Sequence, residues 1–379
     1  MTDFLSRLGP LALYALGFSA WTLLLFVIYR AIYRHANRFA PAYFPGAIPV
    51  LFLTYLLLGF LYGRSHAANY YFPNLLRVLA AMIVYYALLW ALTPLLRKRV
   101  SADGCATLWL LPNLLFFVSQ HLLRYNAFVG PLFVVRLPHS ILRIALGVWA
   151  AGFAAVLGWK IVSHFRFRKA VLRDAVPVSA QERDLFLSTW RALCFEGNVR
   201  PAGFKGSMKT GGRLTVLRSP AVDCPLTVGL LEKKCCLVLP QRDYSEQELW
   251  LIFRHESIHL LRLDNWLKFS LSFLCALGWF IPMVWLGLQK ASEDMELCCD
   301  ELTTKGMQEA RRRDYANLLL SGAGTAMGFT TCLSASASGL RYRMARILHP
   351  KKRRAGFLSV FLLSVFFFIL FGTSGVIVD

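Results

Sequence analysis

The sequence predicts a mostly α-helical protein that crosses a membrane several times and carries an inserted α+β domain. Of its 379 residues, 56% are hydrophobic and 14% are aromatic, and the mean hydropathy is +0.49. A soluble domain usually has about 45–50% apolar residues. The apolar residues gather into runs, whereas residues 165–267 combine charged positions with periodic apolar ones. The runs indicate membrane helices, and the interrupted stretch indicates a folded domain outside the bilayer.

Five apolar runs precede residue 165, and each is long enough to cross a hydrocarbon core as a helix. They cover residues 11–31, 46–63, 75–95, 105–123 and 139–163. The first run leads into Arg30, Arg34 and Arg38 without a cleavage site of small residues. We therefore interpret it as a membrane helix rather than as a cleaved signal peptide. A sixth run covers residues 356–378.

Basic residues mark three loops as cytoplasmic, because loops rich in Lys and Arg stay on that side of a bacterial membrane. These residues follow the first, third and fifth runs, within 30–38, 97–99 and 160–169. We expect a multi-pass protein of the bacterial cell membrane with both termini outside. The net charge is +21, and many of the basic residues flank apolar runs. This pattern favours contact with the lipid bilayer over direct binding of nucleic acid.

The expected organisation has three parts. Residues 1–164 form an N-terminal membrane domain with about five transmembrane helices. Residues 165–355 form a cytoplasmic domain with a membrane-associated apolar segment at 267–289, and residues 356–379 form a C-terminal transmembrane helix. Within the cytoplasmic domain, strands are expected at 214–217, 226–230 and 235–239. Ser179 with Glu182, and Ser245 with Glu248, have the spacing of capping boxes that begin helices.

The helix that begins after Ser245 leads into His255-Glu256-Ser257-Ile258-His259. Histidines at positions i and i+4 lie on one helical face, so both imidazoles can bind one zinc ion. Glu256 lies beside them, where a carboxylate can take a proton from a metal-bound water molecule. The segment therefore predicts a zinc cofactor, Glu256 as the catalytic base, and a peptide or protein substrate.

A catalytic zinc ion needs a third protein ligand. One known pattern would place Gly at 262 and His at 265, where this chain has Arg262 and Asn265. The gluzincin pattern instead places a Glu on a later helix with an Asp one turn beyond, and Glu296 and Asp300 fit it. Asp300 would then accept a hydrogen bond from a ligand histidine. Other candidates for the third ligand remain open: Glu293, Cys298, Cys299, Asp264, Glu301 and His349.

This ligand set constrains the apolar segment at 267–289. Because His259 and Glu296 must meet at one ion, the segment between them cannot make a single crossing. Pro282 predicts a break in it. We expect a pair of helices lodged at the membrane surface.

The strand that precedes the histidine helix is a candidate site for substrate. An edge strand made of Cys235, Cys236, Leu237, Val238 and Leu239 could pair with an extended peptide. An ordinary strand inside the sheet is the alternative.

Residues from about 215 to 320 resemble the peptidase domain of the BlaR/MecR family of β-lactam sensor-transducers. The matching segments are 225–230, 237–240, 245–249, 255–259, 279–282 and 293–301, together with Asp264 and Tyr315. The resemblance implies a gluzincin-like zinc peptidase domain with His255, His259 and Glu296 as zinc ligands and Glu256 as general base. Only the resemblance assigns Tyr315 a role, as a transition-state stabiliser.

The resemblance also implies regulated proteolysis, in which an outside signal activates a cytoplasmic peptidase that cleaves a DNA-binding repressor and itself. Residues 341–354 are a candidate region for self-cleavage, with a simple positively charged anchor as the alternative. A housekeeping membrane protease and a catalytically silent signalling scaffold remain alternative functions. The sequence is also compatible with a homo-oligomer.

Two features depart from the sensors. The sequence ends at Asp379 without the penicillin-binding domain that follows the last membrane helix of the sensors. It also has five apolar runs before the peptidase region, where the sensors usually have three. We therefore do not expect a β-lactam to be the inducing signal.

Overall fold

The computed structural model describes residues 2–36, 47–61, 72–111, 133–197, 215–230, 235–321, 337–351 and 353–378, which are mostly helical. The helices are α1 (Thr2–Ala36), α2 (Ala47–Leu61), α3 (Phe72–Arg99), α4 (Ala102–Leu110), α5 (His139–Arg173), α6 (Ala180–Gly197), α7 (Glu246–Arg262), α8 (Asp264–Leu277), α9 (Pro282–Thr303), α10 (Glu309–Ser321), α11 (Ala337–Leu348) and α12 (Phe357–Thr373). The strands are β1 (Phe133–Leu137), β2 (Val176–Pro177), β3 (Thr215–Ser219), β4 (Leu226–Val228), β5 (Cys236–Pro240) and β6 (Ser374–Val378).

Three helices in the described part of the chain are long and apolar enough to cross a membrane. They cover Gly9–Ile32, Pro73–Arg99 and His139–Arg173, at the positions of the first, third and fifth predicted runs. The second run corresponds to α2, which has 15 residues. The fourth run can be followed only through α4, because residues 112–132 lie outside the described ranges.

The last predicted run is only partly helical. Helix α12 ends at Thr373, and residues 374–378 form β6, which pairs in parallel with β1. The residues after Thr373 are Ser-Gly-Val-Ile-Val; glycine disfavours helix, and the β-branched residues favour strand. The predicted helix over 356–379 was therefore too long, and the apolar helix itself has 17 residues.

A four-stranded sheet has the order β2-β3-β5-β4. Strands β3, β4 and β5 begin and end within two residues of the predicted ones, and β2 was not predicted. Strand β5 pairs in parallel with β3 and antiparallel with β4. It is thus an interior strand, so the edge-strand interpretation of Cys235–Leu239 was wrong and the stated alternative, an ordinary strand inside the sheet, is confirmed. All five residues of β5 are buried, as expected for a strand with neighbours on both sides. The described edge beside β5 is β4.

Both predicted capping boxes are confirmed. The Ser245 backbone N–H donates to Glu248 Oε2 at 2.8 Å, and the Glu248 N–H donates to Ser245 Oγ at 3.3 Å. Ser179 and Glu182 form the same reciprocal pair before α6. These bonds satisfy backbone donors that the first turn of a helix leaves without partners.

The apolar segment at 267–289 does not form one helix. Helix α8 ends at Leu277, and α9 begins at Pro282, where proline is tolerated because the first N–H has no helical partner anyway. The break predicted at Pro282 is confirmed. Leu274 and Val284, one from each helix, are fully buried in the apolar core that also contains residues of α3 and α12.

Helix α9 belongs to two cores. Leu288 and Met295 pack in the core of the apolar helices, whereas Cys299 packs in a second core with Phe253 of α7 and Leu237 of β5. The helix therefore joins the apolar bundle to the sheet-containing domain. Glu296 lies at the point where the two cores meet.

Candidate metal centre

Helix α7 places His255 and His259 on one face, one turn apart. Their side chains are buried, and their Nε2 atoms lie 3.1 Å from each other. Glu256 is also buried, with 4% of its surface exposed. The capping box at Ser245 and Glu248 fixes where this helix begins, ten residues before His255.

Helix α9 brings Glu296 to the same point. Its Oε2 lies 3.7 Å from His255 Nε2 and 3.6 Å from His259 Nε2. A point equidistant from these three atoms is about 2.0 Å from each, which matches the length of zinc–nitrogen and zinc–oxygen bonds. The three predicted ligands therefore have the spacing of a metal site.

A tight turn after α7 gives His259 a carboxylate partner. Leu263 has a φ of 59°, in the left-handed region, and its N–H bonds to the carbonyls of His259 and Leu260. The next residue, Asp264, is fully buried, and its Oδ2 lies 2.8 Å from His259 Nδ1. Because a carboxylate can only accept, the Nδ1 of His259 donates the proton and its Nε2 keeps a lone pair.

His255 is oriented by a tyrosine. The Tyr315 hydroxyl lies 2.7 Å from His255 Nδ1 and donates to Asp300 Oδ1 at 2.7 Å. A hydroxyl has only one proton, so it accepts from His255 Nδ1, and the Nε2 of His255 also keeps its lone pair. The direct contact expected between Asp300 and a histidine is replaced by this relay, since His255 Nδ1 and Asp300 Oδ1 are 3.8 Å apart.

The position of Tyr315 differs from the predicted one. A transition-state stabiliser would face the Nε2 side of the histidines, where the ion and the substrate would meet. Tyr315 instead contacts Nδ1 of His255 and is 1% exposed. Burial, reinforced by the charge of Asp300, raises the pKa of Tyr315 well above its usual value, so the hydroxyl remains a donor.

The donor set fits a cation. The two Nε2 atoms face each other at 3.1 Å, and a cation between them would use the lone pair that each imidazole has in its neutral form. The Oε1 of Glu296 is buried and accepts no hydrogen bond from the described residues, although Lys268 Nζ lies 3.5 Å away. A buried carboxylate oxygen without a hydrogen bond is costly, and a cation in contact with it would lower that cost. Both observations are consistent with a bound divalent metal ion.

The shifted pKa values of His259 and Glu296 also agree with a bound metal ion. Burial lowers the pKa of His259, but the carboxylates of Glu296 and Asp264 outweigh burial, so the pKa lies well above the usual value for histidine. Burial raises the pKa of Glu296, and the His259 and His255 imidazoles outweigh it, so the pKa lies well below its usual range. Both shifts favour a protonated His259 beside an ionised Glu296, and a metal ion would take the place of that proton.

A second group could also hold a metal ion: His259 through Nδ1, Asp264 and Cys299. The Cys299 Sγ lies 3.2 Å from both His259 Nδ1 and Asp264 Oδ2. Burial raises the pKa of Cys299 to about 12, so the thiol is protonated at neutral pH. These contacts already place the protons of Cys299 and of His259 Nδ1 in hydrogen bonds to Asp264, whereas the two Nε2 atoms have each other and Glu296 as their neighbours. The first group is therefore the better metal site.

The other rivals for the third ligand lie elsewhere. Glu293 pairs with Arg97 at 3.0 Å, and Glu301 pairs with Arg346. Cys298 packs with Leu297 and Ala102, and His349 is exposed at the end of α11.

Two basic residues at the centre were not predicted. Arg343 of α11 donates to Asp300 at 2.7 and 2.9 Å and lies 3.5 Å from Glu296 Oε2. Lys268 is buried on α8 beside Glu296. Lys268 is the single charge within residues 267–289, and this isolation in an apolar segment was the signal available. Arg343 lies in a basic stretch that offers no such signal.

The described edge strand of the sheet lies close to the centre. Asn265, on the first turn of α8, donates from Nδ2 to the carbonyl of Gly229 at 2.9 Å. Gly229 directly follows β4, and Cys235 also donates to its carbonyl, at 3.3 Å. The turn that supplies Asp264 therefore holds the end of β4 beside α7.

Comparison with known proteins identifies the family to which the chain belongs. The family model described as BlaR1 peptidase M56 matches residues 133–347, more than half of the chain. The chain belongs to this family of membrane-associated metallopeptidases. Over 206 residues it is 26% identical to the regulatory protein BlaR1 of Bacillus licheniformis, a match that covers 54% of this chain and 31% of that protein. The chain thus spans about a third of the length of this relative.

The family and the three long apolar helices identify a membrane protein. Membership of the family also agrees with a metal cofactor. The described residues include two groups that could bind one: His255, His259 and Glu296, and His259, Asp264 and Cys299.

Proposed function

We propose that the chain is a zinc endopeptidase of the gluzincin type, anchored in the bacterial cell membrane with its peptidase domain in the cytoplasm. In this proposal His255, His259 and Glu296 bind zinc, and Glu256 is the catalytic base. The observation that carries the proposal is the convergence of two imidazole Nε2 atoms and one Glu296 oxygen within 3.7 Å beside buried Glu256.

Zinc in such a site lowers the pKa of bound water to about 7 and polarises the carbonyl of the substrate. Glu256 accepts the proton of the attacking water and passes it to the leaving amine. Asp264 and the Tyr315–Asp300 pair keep both imidazoles in the tautomer whose Nε2 is a ligand. Tyr315 is thus a positioning residue in this proposal.

We assign the substrate-binding edge to β4 rather than to β5. The strand has one neighbour among the described strands, and the hydrogen bond from Asn265 to Gly229 holds its end beside the centre. Residues 226–228 are buried in this structure, so adding an extended peptide to this edge through main-chain hydrogen bonds requires the edge to open. Residues 226–229 replace 235–239 as the proposed contact.

The substrate that we propose is a cytoplasmic repressor. Of the candidate region for self-cleavage at 341–354, residues 341–348 belong to helix α11, where Arg343 is bonded to Asp300, so we restrict the proposed self-cleavage to residues 349–354. The support is the family membership and the name of the relative, a regulatory protein. The match covers only 31% of that relative. It therefore gives no information about the signal that controls cleavage in this chain.

The test is the Glu256→Gln variant, produced as the full chain in its membrane. We expect it to keep its zinc and to lose hydrolysis by about 10²–10⁴-fold, the usual contribution of a general base. Proteomics of cells with wild-type or variant protein should reveal one cytoplasmic repressor that accumulates in the variant. Unchanged hydrolysis in the variant would rule out Glu256 as the base, and accumulation of many unrelated proteins would favour a housekeeping protease.

A further inference from the structure

A cavity of about 470 Å³ lies between α7, the turn that follows α9, and the first residues of α10. Its lining includes Trp250, Arg254, Lys305 and Arg311, and none of the described lining residues is acidic. Trp250 and Arg254 are four residues apart, so they share a face of α7 that differs from the face of His255 and His259. The cavity is therefore separate from the metal centre.

The basic side chains of this cavity differ in whether they form hydrogen bonds and ion pairs with the described protein. Arg254 is fixed, since its Nε donates to the Thr303 carbonyl at 3.0 Å and its guanidinium pairs with Glu196 at 3.0 Å. Arg311 lies 5.2 Å from the ring centroid of Trp250. Arg311 and Lys305 are exposed and form no ion pair with a described residue. Two cations without an ion pair to a described residue, one of them beside an aromatic ring, provide a site for an anionic group.

A second cavity of about 450 Å³ shares Trp250 and Arg311 with the first. Its remaining lining is different in kind, with the apolar side chains Leu185 and Leu251 and the carboxylates Glu246 and Asp314. The two cavities adjoin at Trp250 and Arg311, and we call the two together the Trp250 groove. It has a cationic end and an apolar end with acidic residues.

The distribution of charged and apolar side chains in the Trp250 groove indicates which class of ligand it binds. A small anion would need only the cationic end. An elongated groove that offers cations, an aromatic ring, apolar surface and carboxylates in sequence is complementary to a polypeptide. We propose that the Trp250 groove is an exosite that binds an acidic segment of a polypeptide, with an apolar residue of that segment against Leu185 and Leu251.

The exosite rests on the proposed function, because it assumes a polypeptide substrate. Two of its walls also form the metal centre. Arg254 directly precedes His255 in α7, and Arg311 lies one turn before Tyr315, whose hydroxyl contacts His255 Nδ1 at 2.7 Å. A segment held in the groove would keep the rest of the substrate near the centre and raise its local concentration.

The test uses the full-length Glu256→Gln variant in detergent, so that binding is measured without cleavage. The probe is a library of immobilised decapeptides of randomised sequence. We expect the bound fraction to be enriched in peptides with Asp or Glu close to an apolar residue. Adding Arg311→Met and Lys305→Met should weaken binding of these peptides by about tenfold, the effect of losing one to two kcal/mol.

The control is Arg313→Met, which removes an exposed cation of the same helix that pairs with Glu309. It should leave binding unchanged. Peptide binding without enrichment of acidic residues, or enrichment that survives the double substitution, would overturn the exosite. Binding of inorganic phosphate that depends on Arg311, without peptide enrichment, would overturn it in favour of a small-anion site.

Failure of the exosite and failure of the proposed function give different results. If the exosite is wrong, the double variant in the wild-type background cleaves its substrate with unchanged KM. If only the peptidase assignment is wrong, the acidic peptides still bind although the wild-type protein cleaves nothing. If both hold, the double variant raises KM and leaves kcat unchanged.

Discussion

The imidazole nitrogens that face away from the proposed ion decide how well the centre can bind it. Asp264 accepts from His259 Nδ1 at 2.8 Å, and Tyr315 accepts from His255 Nδ1 at 2.7 Å. Each contact fixes both the tautomer and the orientation of a ring. Asp264 carries a charge and Tyr315 does not, so the two contacts should contribute unequally to metal affinity.

We expect Asp264→Asn to weaken zinc binding by about 10–100-fold, the range for partners that orient metal ligands. Tyr315→Phe should have a smaller effect, because it removes a neutral partner of His255. Zinc affinity measured by competition with a chelator would show the order. The control is Asp223→Asn, which changes an exposed aspartate. Equal affinity in Asp264→Asn and the wild-type protein would contradict the role of the Asp264 charge in metal binding.

Among the secondary-structure elements, α7 carries three of the four residues that we assign to zinc binding and catalysis: His255, Glu256 and His259. Its start depends on the reciprocal hydrogen bonds of Ser245 and Glu248. The hydrogen bonds from Ser245 hold the pKa of Glu248 below its usual value. The capping box therefore links the stability of α7 to the ionised form of Glu248.

Ser245→Ala should lower the free energy of unfolding by about 1 kcal/mol, as for other N-cap serines. Since the pKa of Glu248 is depressed in the folded protein, its contribution is present above the unfolded value of about 4.3 and is lost as the pH falls through the folded value. Denaturant unfolding of the full chain in detergent at several pH values would measure both effects. Ser179→Ala, which removes the equivalent cap of α6, is the matched comparison, and an unchanged stability in Ser245→Ala would contradict the role of the cap.

Local features of the elements could be predicted from the sequence. Pairings between distant segments could not, except for the approach of Glu296 to His255 and His259, which follows from a known spacing of ligands. The capping boxes and the break at Pro282 depend on residues within one turn. The interior position of β5 depends on the order of the strands, which neighbouring residues do not determine. The same limit applies to Arg343, which lies 43 residues beyond Asp300.

The turn at Leu263 shows a different limit. A left-handed residue after a helix is usually Gly or Asn, and here it is Leu, with a φ of 59°. No residue type therefore marked the turn that carries Asp264 back to His259. Asp264 was among the candidates for a ligand, and the structure places it behind the ligand instead.

At the scale of the whole molecule, α9 connects the apolar helices to the metal centre. Arg97, in the last turn of α3, donates to Asp294 at 2.7 Å and to Glu293 at 3.0 Å. Asp294 is fully buried, lies two residues before Glu296 and also accepts from Trp109 at 3.1 Å. The end of an apolar helix is thus joined to the helix that supplies the proposed third ligand.

Arg97→Met should destabilise the protein by about 3–5 kcal/mol, because it leaves Asp294 buried without its charge partner. Adding Asp294→Asn should restore part of this loss, so the two substitutions should not be additive. The exposed Arg99, replaced by Met, is the control. Thermal unfolding in detergent would compare Arg97→Met, Asp294→Asn, the double variant and the Arg99→Met control. Strict additivity of Arg97→Met and Asp294→Asn would contradict the coupling.

The most direct test of the account is X-ray absorption at the zinc edge on the purified full chain. Binding through His255, His259 and Glu296 predicts one zinc ion with only nitrogen and oxygen neighbours at about 2.0–2.2 Å, two of them imidazoles. A sulfur neighbour at about 2.3 Å would place the ion at the group that contains Cys299. Such a sulfur neighbour, or a protein that binds no zinc, would contradict the proposed centre.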